Sequence, residues 1–193
     1  MFIKDWKKDV FTIPNFLSLF RLALIPVYMS LYLNATNHRQ LSIAGGILIA
    51  SCLTDAIDGR VARQYNMIST LGKILDPLAD KITQFTLTFC LSLKYTRLIP
   101  VLILFILKEL FQLTAGILQL RKGKMLSGAL PAGKVCTAVL FASLISLVLF
   151  PALPDFIISG IAALDTVFLL ISFICYVIAY WGRNTKFKDI ENT

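Results

Sequence analysis

The chain has 193 residues, of which 57% are hydrophobic and only 16% charged, and its mean hydropathy is +0.76. A soluble domain carries about a quarter charged residues, so this composition excludes an ordinary soluble protein. The apolar content also excludes a disordered chain. The 19 Lys and Arg residues exceed the 11 Asp and Glu residues and give a net charge of +8. In a chain with recurrent apolar runs, this excess indicates basic segments at a membrane surface rather than nucleic-acid binding.

The first 12 residues alternate apolar and basic side chains, including Trp6 and Phe11 on one side and Lys4, Lys7 and Lys8 on the other. This spacing is typical of a short amphipathic helix that lies in the membrane interface. An unstructured polar tail is the alternative. Residues 1–12 have no long apolar core before a small-residue cleavage site, so we do not expect them to be a signal peptide.

Six later segments are long and apolar enough to cross the membrane as helices. The predicted spans are Asn15–Leu33, Leu41–Val61, Gly72–Leu93, Leu98–Leu120, Pro131–Ala152 and Phe156–Trp181. The segments that join them are short, so consecutive helices are expected to be antiparallel. We therefore predict an all-α integral membrane protein with a single domain over 1–193, made of an interfacial helix (1–12), a six-helix bundle (13–182) and a tail (183–193).

The basic residues predict the orientation of this bundle. If the N-terminus is inside, the outer ends of the helices carry only Arg39, Lys94 and Arg97, and most of the other basic residues fall at the inner ends. Basic residues concentrate on the cytoplasmic side of membrane proteins. We therefore predict a multi-pass protein of the cell (inner) membrane with both termini in the cytoplasm.

Six acidic residues lie within or at the ends of the predicted spans. They are Asp55, Asp58, Asp76, Asp80, Glu109 and Asp165. A carboxylate at the centre of a bilayer costs about 2.5–3.5 kcal/mol even on the mildest insertion scale, so such residues usually mark function. The first four occupy two consecutive helices, and this concentration makes them the candidate site.

Helical geometry predicts that these four aspartates converge. Asp55 and Asp58 are three residues apart and Asp76 and Asp80 are four apart, so each pair lies on one face of its helix. Crowded carboxylates need neutralisation, and Mg²⁺ prefers a few carboxylates together with phosphate oxygens. Two alternatives remain. The acids could form interhelical bridges with Arg60, Arg63 and Lys81, or they could belong to a proton or cation relay.

The residues around the aspartates indicate a diphosphate ligand. Gly59 and Ala62 allow a backbone or a flat ligand to approach closely, and Gly72 opens the next helix. Arg63 can bind a phosphate through two parallel hydrogen bonds. Small residues, an arginine and a cage of carboxylates are together typical of a site for a metal-bound diphosphate.

The pattern Asp55-x-x-Asp58-Gly59-x-x-Ala62-Arg63, then eight residues, then Gly72-x-x-x-Asp76-x-x-x-Asp80, resembles the signature of the CDP-alcohol phosphotransferases at every fixed position. Two flanking stretches, Pro14-Asn15-x-Leu17-Ser18-x-x-Arg21 and Leu75-Asp76-Pro77-Leu78-Ala79-Asp80-Lys81, resemble the phosphatidylglycerophosphate and cardiolipin synthase branch of that family.

This resemblance implies six transmembrane helices, usually in a homodimer, and transfer of the phosphatidyl group from CDP-diacylglycerol to an alcohol with release of CMP. It implies that Asp55, Asp58 and Asp76 are metal ligands, and that Asp80 is shared between metal binding and general-base catalysis. It further implies that Gly59, Ala62, Arg63 and Gly72 hold the cytidine diphosphate. The expected cofactor is Mg²⁺ or Mn²⁺, with two ions.

The acceptor alcohol has two main candidates. Phosphatidylglycerophosphate synthases typically have an Arg-Glu pair in the fourth span, a further arginine two turns later and a Gly-Lys-x-Lys-Thr stretch in the fifth span. Here Lys108-Glu109 and Gly133-Lys134 keep part of that charge, whereas Gly116 and Cys136 replace basic residues. We therefore expect Lys108 and Lys134 to bind the acceptor, which we predict to be glycerol 3-phosphate.

The alternative acceptor is phosphatidylglycerol, the substrate of CMP-forming cardiolipin synthases. Those enzymes resemble this chain at Lys134-Val135-x-Thr137-Ala138-Val139 and at Tyr180-x-Gly182-Arg183. A remote alternative from another functional class is a non-catalytic or cation-transporting membrane protein that uses the carboxylates to hold a cation.

Overall fold

A computed structural model describes residues 13–37, 39–47, 72–121, 124–126, 130–181 and 187–189. The predicted interfacial helix over 1–12 lies outside the described residues, as do most of the predicted Leu41–Val61 span and most of the tail. The six described helices are α1 (Ile13–Leu33), α2 (residues 39–47), α3 (Gly72–Lys94), α4 (Ile99–Arg121), α5 (Pro131–Leu149) and α6 (Asp155–Trp181). A 3-10 turn over Thr96–Leu98 precedes α4. The predicted helical class is confirmed.

Four helical segments in the described part of the chain are long and apolar enough to cross a membrane. They are Phe16–Leu33, Thr96–Arg121, Pro131–Leu149 and Asp155–Trp181. Their exposed surfaces are rich in large apolar side chains such as Leu107, Leu113 and Ile178, as expected where lipid replaces water. The protein is therefore a multi-pass membrane protein, and four of the six predicted spans are confirmed as apolar helices of spanning length.

Helix α3 forms at the predicted place, but it is not among these four apolar segments. Four of its first ten residues are charged. Its second half buries a row of polar side chains, namely Thr83, Gln84, Thr86, Thr88 and Ser92. Two of these hydroxyls bond to the carbonyl four residues earlier, Thr83 to Ala79 and Thr88 to Gln84. Protein rather than lipid surrounds much of α3, and this explains its low hydropathy.

Proline determines where α5 begins and ends. Pro131 is the first residue of α5, where its missing N–H would have had no helical partner. The same helix ends at Leu149 rather than at the predicted Ala152, because Pro151 has no N–H with which to continue the helix. Pro77 lies inside α3, yet the helix continues through it.

A two-stranded antiparallel sheet is the part of the fold that the sequence did not predict. Strand β1 (Lys124–Leu126) follows α4, and strand β2 (Phe187–Asp189) belongs to the C-terminal tail. Their register pairs Lys124 with Asp189, Met125 with Lys188 and Leu126 with Phe187. Strands of three residues are too short to show an alternating pattern, and neither strand can therefore be recognised from the sequence.

The chain separates into two compact units. One lies within Met1–Cys90 and Ile145–Ala152, and the other within Leu91–Leu144 and Leu153–Thr193. The first unit has a core that includes Tyr28, Ala44 and Leu87, and the second has one that includes Val101, Leu140 and Leu169. Of the described site residues, Asp76 and Asp80 belong to the first unit, and Lys108 and Lys134 belong to the second.

Two adjacent glycines in α2 provide a test of packing within the first unit. A Cβ atom on Gly45 would lie 2.5 Å from the Cγ1 atom of Val148, whereas one on Gly46 would meet nothing within 4 Å. We expect Gly45→Ala to lower the free energy of unfolding by about 1–3 kcal/mol, as overpacking does. Gly46→Ala is the matched control, and it should stabilise by up to about 1 kcal/mol through helix propensity.

Unfolding of both variants in mixed detergent micelles measures this difference. A Val148→Ala change added to Gly45→Ala should restore most of the lost stability, because it removes the atom in conflict. Equal stability of the two alanine variants would contradict the close approach of α2 to Val148.

Candidate functional site

Helix α3 carries the second half of the predicted aspartate cluster. Gly72 is its first residue, as predicted, and the helix is continuous from there to Lys94. Asp76 and Asp80 are therefore one turn apart on the same face, separated by about 6 Å along the axis. Asp55, Asp58, Gly59, Ala62 and Arg63 lie outside the described residues, so their convergence with this face stays a prediction.

Asp80 has a partner that the sequence did not identify. The Nη1 atom of Arg21, in α1, donates a hydrogen bond to the Oδ1 atom of Asp80. The arginine side chain is 6% exposed and the aspartate side chain 58% exposed. The alternative considered from sequence used Arg60, Arg63 and Lys81 as bridging residues. Arg21 is 59 residues before Asp80, and only tertiary structure brings it there.

The oxygen donors on α3 fit a hard divalent cation. Carboxylates are the preferred protein ligands of Mg²⁺ and Mn²⁺, and the exposed side chain of Asp80 is accessible to an ion. Within the described part of the chain, His, Cys, Asp and Glu residues do not form a group of three or more that could hold a metal. A complete cage therefore requires the two aspartates, Asp55 and Asp58, that lie beyond the described ranges.

The two predicted acceptor lysines have contrasting environments. Lys108 is buried in α4, where its Nζ atom lies 2.7 Å from an oxygen of Glu109. The same ammonium group lies 5.8 Å from the centre of the Tyr176 ring in α6, which adds a cation–π attraction. Lys134 is exposed in the first turn of α5. Lys134 thus offers an accessible charge, and Lys108 offers one that Glu109 already balances.

Cys136 of α5 is buried inside the second unit, close enough to Lys108 and Asp165 to interact with them electrostatically. Asp165 is buried on the same face of α6 as Ser172 and Tyr176.

Tyr176 is held closely by α5. A Cβ atom on Gly133 would lie 2.5 Å from the Tyr176 hydroxyl, so only glycine leaves room for this ring at its present position. At the next turn of α6, the Tyr180 hydroxyl lies 3.6 Å from where a Cβ atom of Gly116 would be. Aromatic side chains of α6 therefore occupy the space beside two glycines that the sequence associated with the acceptor.

Comparison with known proteins identifies the family. The family model of the CDP-alcohol phosphatidyltransferases matches residues 11–180. A CDP-diacylglycerol–glycerol-3-phosphate 3-phosphatidyltransferase of Rickettsia bellii is 39% identical over 71 residues, which cover 36% of this chain and 38% of the relative. The corresponding Bacillus subtilis enzyme is 39% identical over 84 residues, covering 38% of this chain and 44% of the relative.

A second group of relatives is named for a different activity. A CMP-forming cardiolipin synthase of Streptomyces coelicolor is 34% identical over 115 residues, which cover 57% of this chain and 53% of the relative. In all three comparisons, the matched stretch spans about half or less of the relative's own length.

Proposed function

Since the chain belongs to the CDP-alcohol phosphatidyltransferase family, we propose that it transfers the phosphatidyl group from CDP-diacylglycerol to glycerol 3-phosphate, giving phosphatidylglycerophosphate and CMP. The family match over residues 11–180 carries this proposal, because it includes the whole aspartate signature from Asp55 to Asp80. The relatives named CDP-diacylglycerol–glycerol-3-phosphate 3-phosphatidyltransferase support this choice of acceptor. The resulting role is in phospholipid biosynthesis.

The aspartates are proposed to form a metal site. Members of the family generally use divalent metal ions, and we assign Asp55, Asp58, Asp76 and Asp80 as ligands of two Mg²⁺ or Mn²⁺ ions. When bound, such ions neutralise the diphosphate and stabilise the departing phosphate oxygen. Gly59, Ala62, Arg63 and Gly72 are proposed to bind the cytidine diphosphate.

Asp80 is proposed to act as the general base. Its carboxylate accepts the proton of the acceptor hydroxyl while the hydroxyl oxygen forms a bond to the phosphorus that carries the diacylglycerol. The bond from that phosphorus to the oxygen of CMP breaks, and CMP leaves with both electrons of the bond. The exposed side chain of Asp80 supports this role, because an incoming alcohol can reach it.

Lys108 and Lys134 are proposed to bind the acceptor. A phosphomonoester carries close to two negative charges, so accessible Lys134 is the better placed of the two to attract it. Phosphatidylglycerol is the second candidate acceptor, as in the CMP-forming cardiolipin synthases. The ion pair between Lys108 and Glu109 supports this alternative, because it leaves less net positive charge for a phosphomonoester.

The remaining proposals concern the assembly. We assign the protein to the inner cell membrane with both termini in the cytoplasm, and we treat residues 1–193 as one catalytic domain. Helices α2 and α3 would complete a bundle of six transmembrane helices, and an interfacial helix would precede it. The active form is proposed to be a homodimer.

An activity assay with the purified protein tests the proposed function directly. Labelled CDP-diacylglycerol is offered with glycerol 3-phosphate or with phosphatidylglycerol, in the presence of Mg²⁺, and CMP and the lipid product are measured. We expect CMP release with glycerol 3-phosphate and complete loss of turnover with a chelator. If a lipid product forms with phosphatidylglycerol but not with glycerol 3-phosphate, the protein is a cardiolipin synthase instead. Absence of metal-dependent CMP release with either acceptor would overturn phosphatidyl transfer and favour the non-catalytic alternative.

A further inference from the structure

Arg21 is a buried cation in the first apolar helix. It shares one face of α1 with Ser18, Tyr28 and Tyr32, and all four residues are buried. An arginine inside a membrane span is costly unless it faces the protein interior and finds polar partners. Its burial on a packed face restricts how far the guanidinium can move.

A hydrogen bond joins α1 to α3. Arg21 lies 59 residues before Asp80 in the chain and bonds to it across the two helices. The face of α1 that carries Arg21 is buried as far as Tyr32, so α1 cannot turn about its axis without exposing that face. This packing keeps Arg21 directed towards Asp80.

The two partners differ strongly in exposure. The side chain of Arg21 is 6% exposed, while that of Asp80 is 58% exposed. The fixed member of the pair is therefore the arginine, and the accessible member is the carboxylate. A donor locked by packing is an effective means of holding a functional side chain in one orientation.

We propose that Arg21 is a positioning residue for Asp80, which orients the carboxylate through Oδ1 and offsets its negative charge before a divalent cation binds. This inference rests on the proposed function of Asp80. It assigns to Arg21 two separable effects, one on the orientation of the base and one on the affinity for the cation. A pair that only joins α1 to α3 would have neither effect.

Substitutions of Arg21 separate these effects. Arg21→Gln removes the charge and replaces the guanidinium with a shorter, neutral amide, so we expect Mn²⁺, added without substrate and followed by electron paramagnetic resonance, to bind about tenfold tighter. The turnover number for CMP release should fall at least about 30-fold, while the KM for CDP-diacylglycerol stays within about threefold. Arg21→Lys keeps the charge but not the planar geometry, so its Mn²⁺ affinity should stay within about twofold while turnover falls about tenfold.

A matched control is available in the second unit. Arg97 forms an exposed ion pair with Asp155, and Arg97→Gln should change neither Mn²⁺ affinity nor turnover. Size-exclusion chromatography and thermal unfolding establish the folded fraction of each variant, and turnover is expressed per folded molecule. If Arg21→Gln does not fold, the turnover of the folded Arg21→Lys variant shows whether Arg21 orients Asp80.

Several results would overturn the proposal. Turnover of folded Arg21→Gln within about threefold of the parent protein, or of Arg21→Lys within about twofold, would reduce the pair to a structural contact. Unchanged or weaker Mn²⁺ binding by Arg21→Gln would refute the charge effect. If the parent protein itself releases no CMP, the proposed transferase activity fails, but the Mn²⁺ titrations still decide whether Arg21 opposes cation binding.

Discussion

Replacement of Asp80 by asparagine is expected to lower the turnover number by about 10²- to 10⁴-fold, the usual contribution of a positioned general base. The amide oxygen of asparagine can still accept the hydrogen bond from Arg21, so the contact between α1 and α3 should persist. Loss of activity would then reflect the missing carboxylate rather than a disrupted fold. CMP release from CDP-diacylglycerol at saturating Mg²⁺ measures the effect, and thermal unfolding verifies the fold.

Asp155→Asn is the control for this substitution. Asp155 is an exposed carboxylate at the start of α6, where its Oδ2 atom lies 3.3 Å from Arg97. Its removal should leave turnover within about twofold of the parent protein, because surface ion pairs contribute little. If Asp80→Asn kept turnover within tenfold of the parent enzyme with Mg²⁺ bound, another group would have to accept the proton.

The bounds of the apolar helices were predictable because lipid and proline impose them. The predicted Asn15–Leu33 and Phe156–Trp181 spans differ from α1 and α6 by two residues or fewer at each end. Each is a continuous apolar run, which must satisfy its backbone hydrogen bonds internally in a bilayer. The prediction extended α5 too far because Phe150 and Ala152 are apolar, although Pro151 between them ends the helix.

Helix α3 is less apolar than the other long helices, yet its place in the sequence was predicted correctly. Its charged first turns and buried threonines make it less apolar than the four candidate spans. The segment Gly72–Leu93 was predicted as a span, and the helix runs from Gly72 to Lys94. The four-residue spacing of Asp76 and Asp80 adds that the two residues lie on one side of this helix.

Tertiary partners were the part that sequence could not supply. Arg21 was identified only within a stretch of family resemblance, and nothing in the local pattern relates it to a residue in α3. The partner of Glu109 is likewise not determined by the sequence, because Lys108, Arg63 and the end of a helix are all compatible with it. Which cation meets which carboxylate depends on how α1, α3 and α4 are rotated, and a single helix pattern does not determine rotation about its own axis.

The second large effect is expected when the ion pair between Lys108 and Glu109 is broken, and it is an effect on stability. Lys108→Met should lower the free energy of unfolding by about 3 kcal/mol, the lower end of the range for breaking a buried ion pair. The lower end applies because the Glu109 side chain is 19% exposed, so the pair is only partly buried. Arg97→Met, which breaks the exposed pair with Asp155, should cost about 0.5 kcal/mol. Unfolding in mixed micelles of increasing denaturing detergent provides both values.

The double variant Lys108→Met with Glu109→Leu separates stability from acceptor binding. Replacement of both partners by apolar residues of similar size is often close to neutral, so this variant should regain most of the stability lost in Lys108→Met alone. If Lys108 also binds the acceptor phosphate, the folded double variant should show a KM for glycerol 3-phosphate raised by about tenfold or more, since a charge-assisted hydrogen bond contributes about 1.5–3 kcal/mol. An unchanged KM would exclude Lys108 from the acceptor site and leave Lys134 as the remaining predicted cation. A double variant as unstable as the single one would mean that Lys108 stabilises the unit through Tyr176 rather than through Glu109.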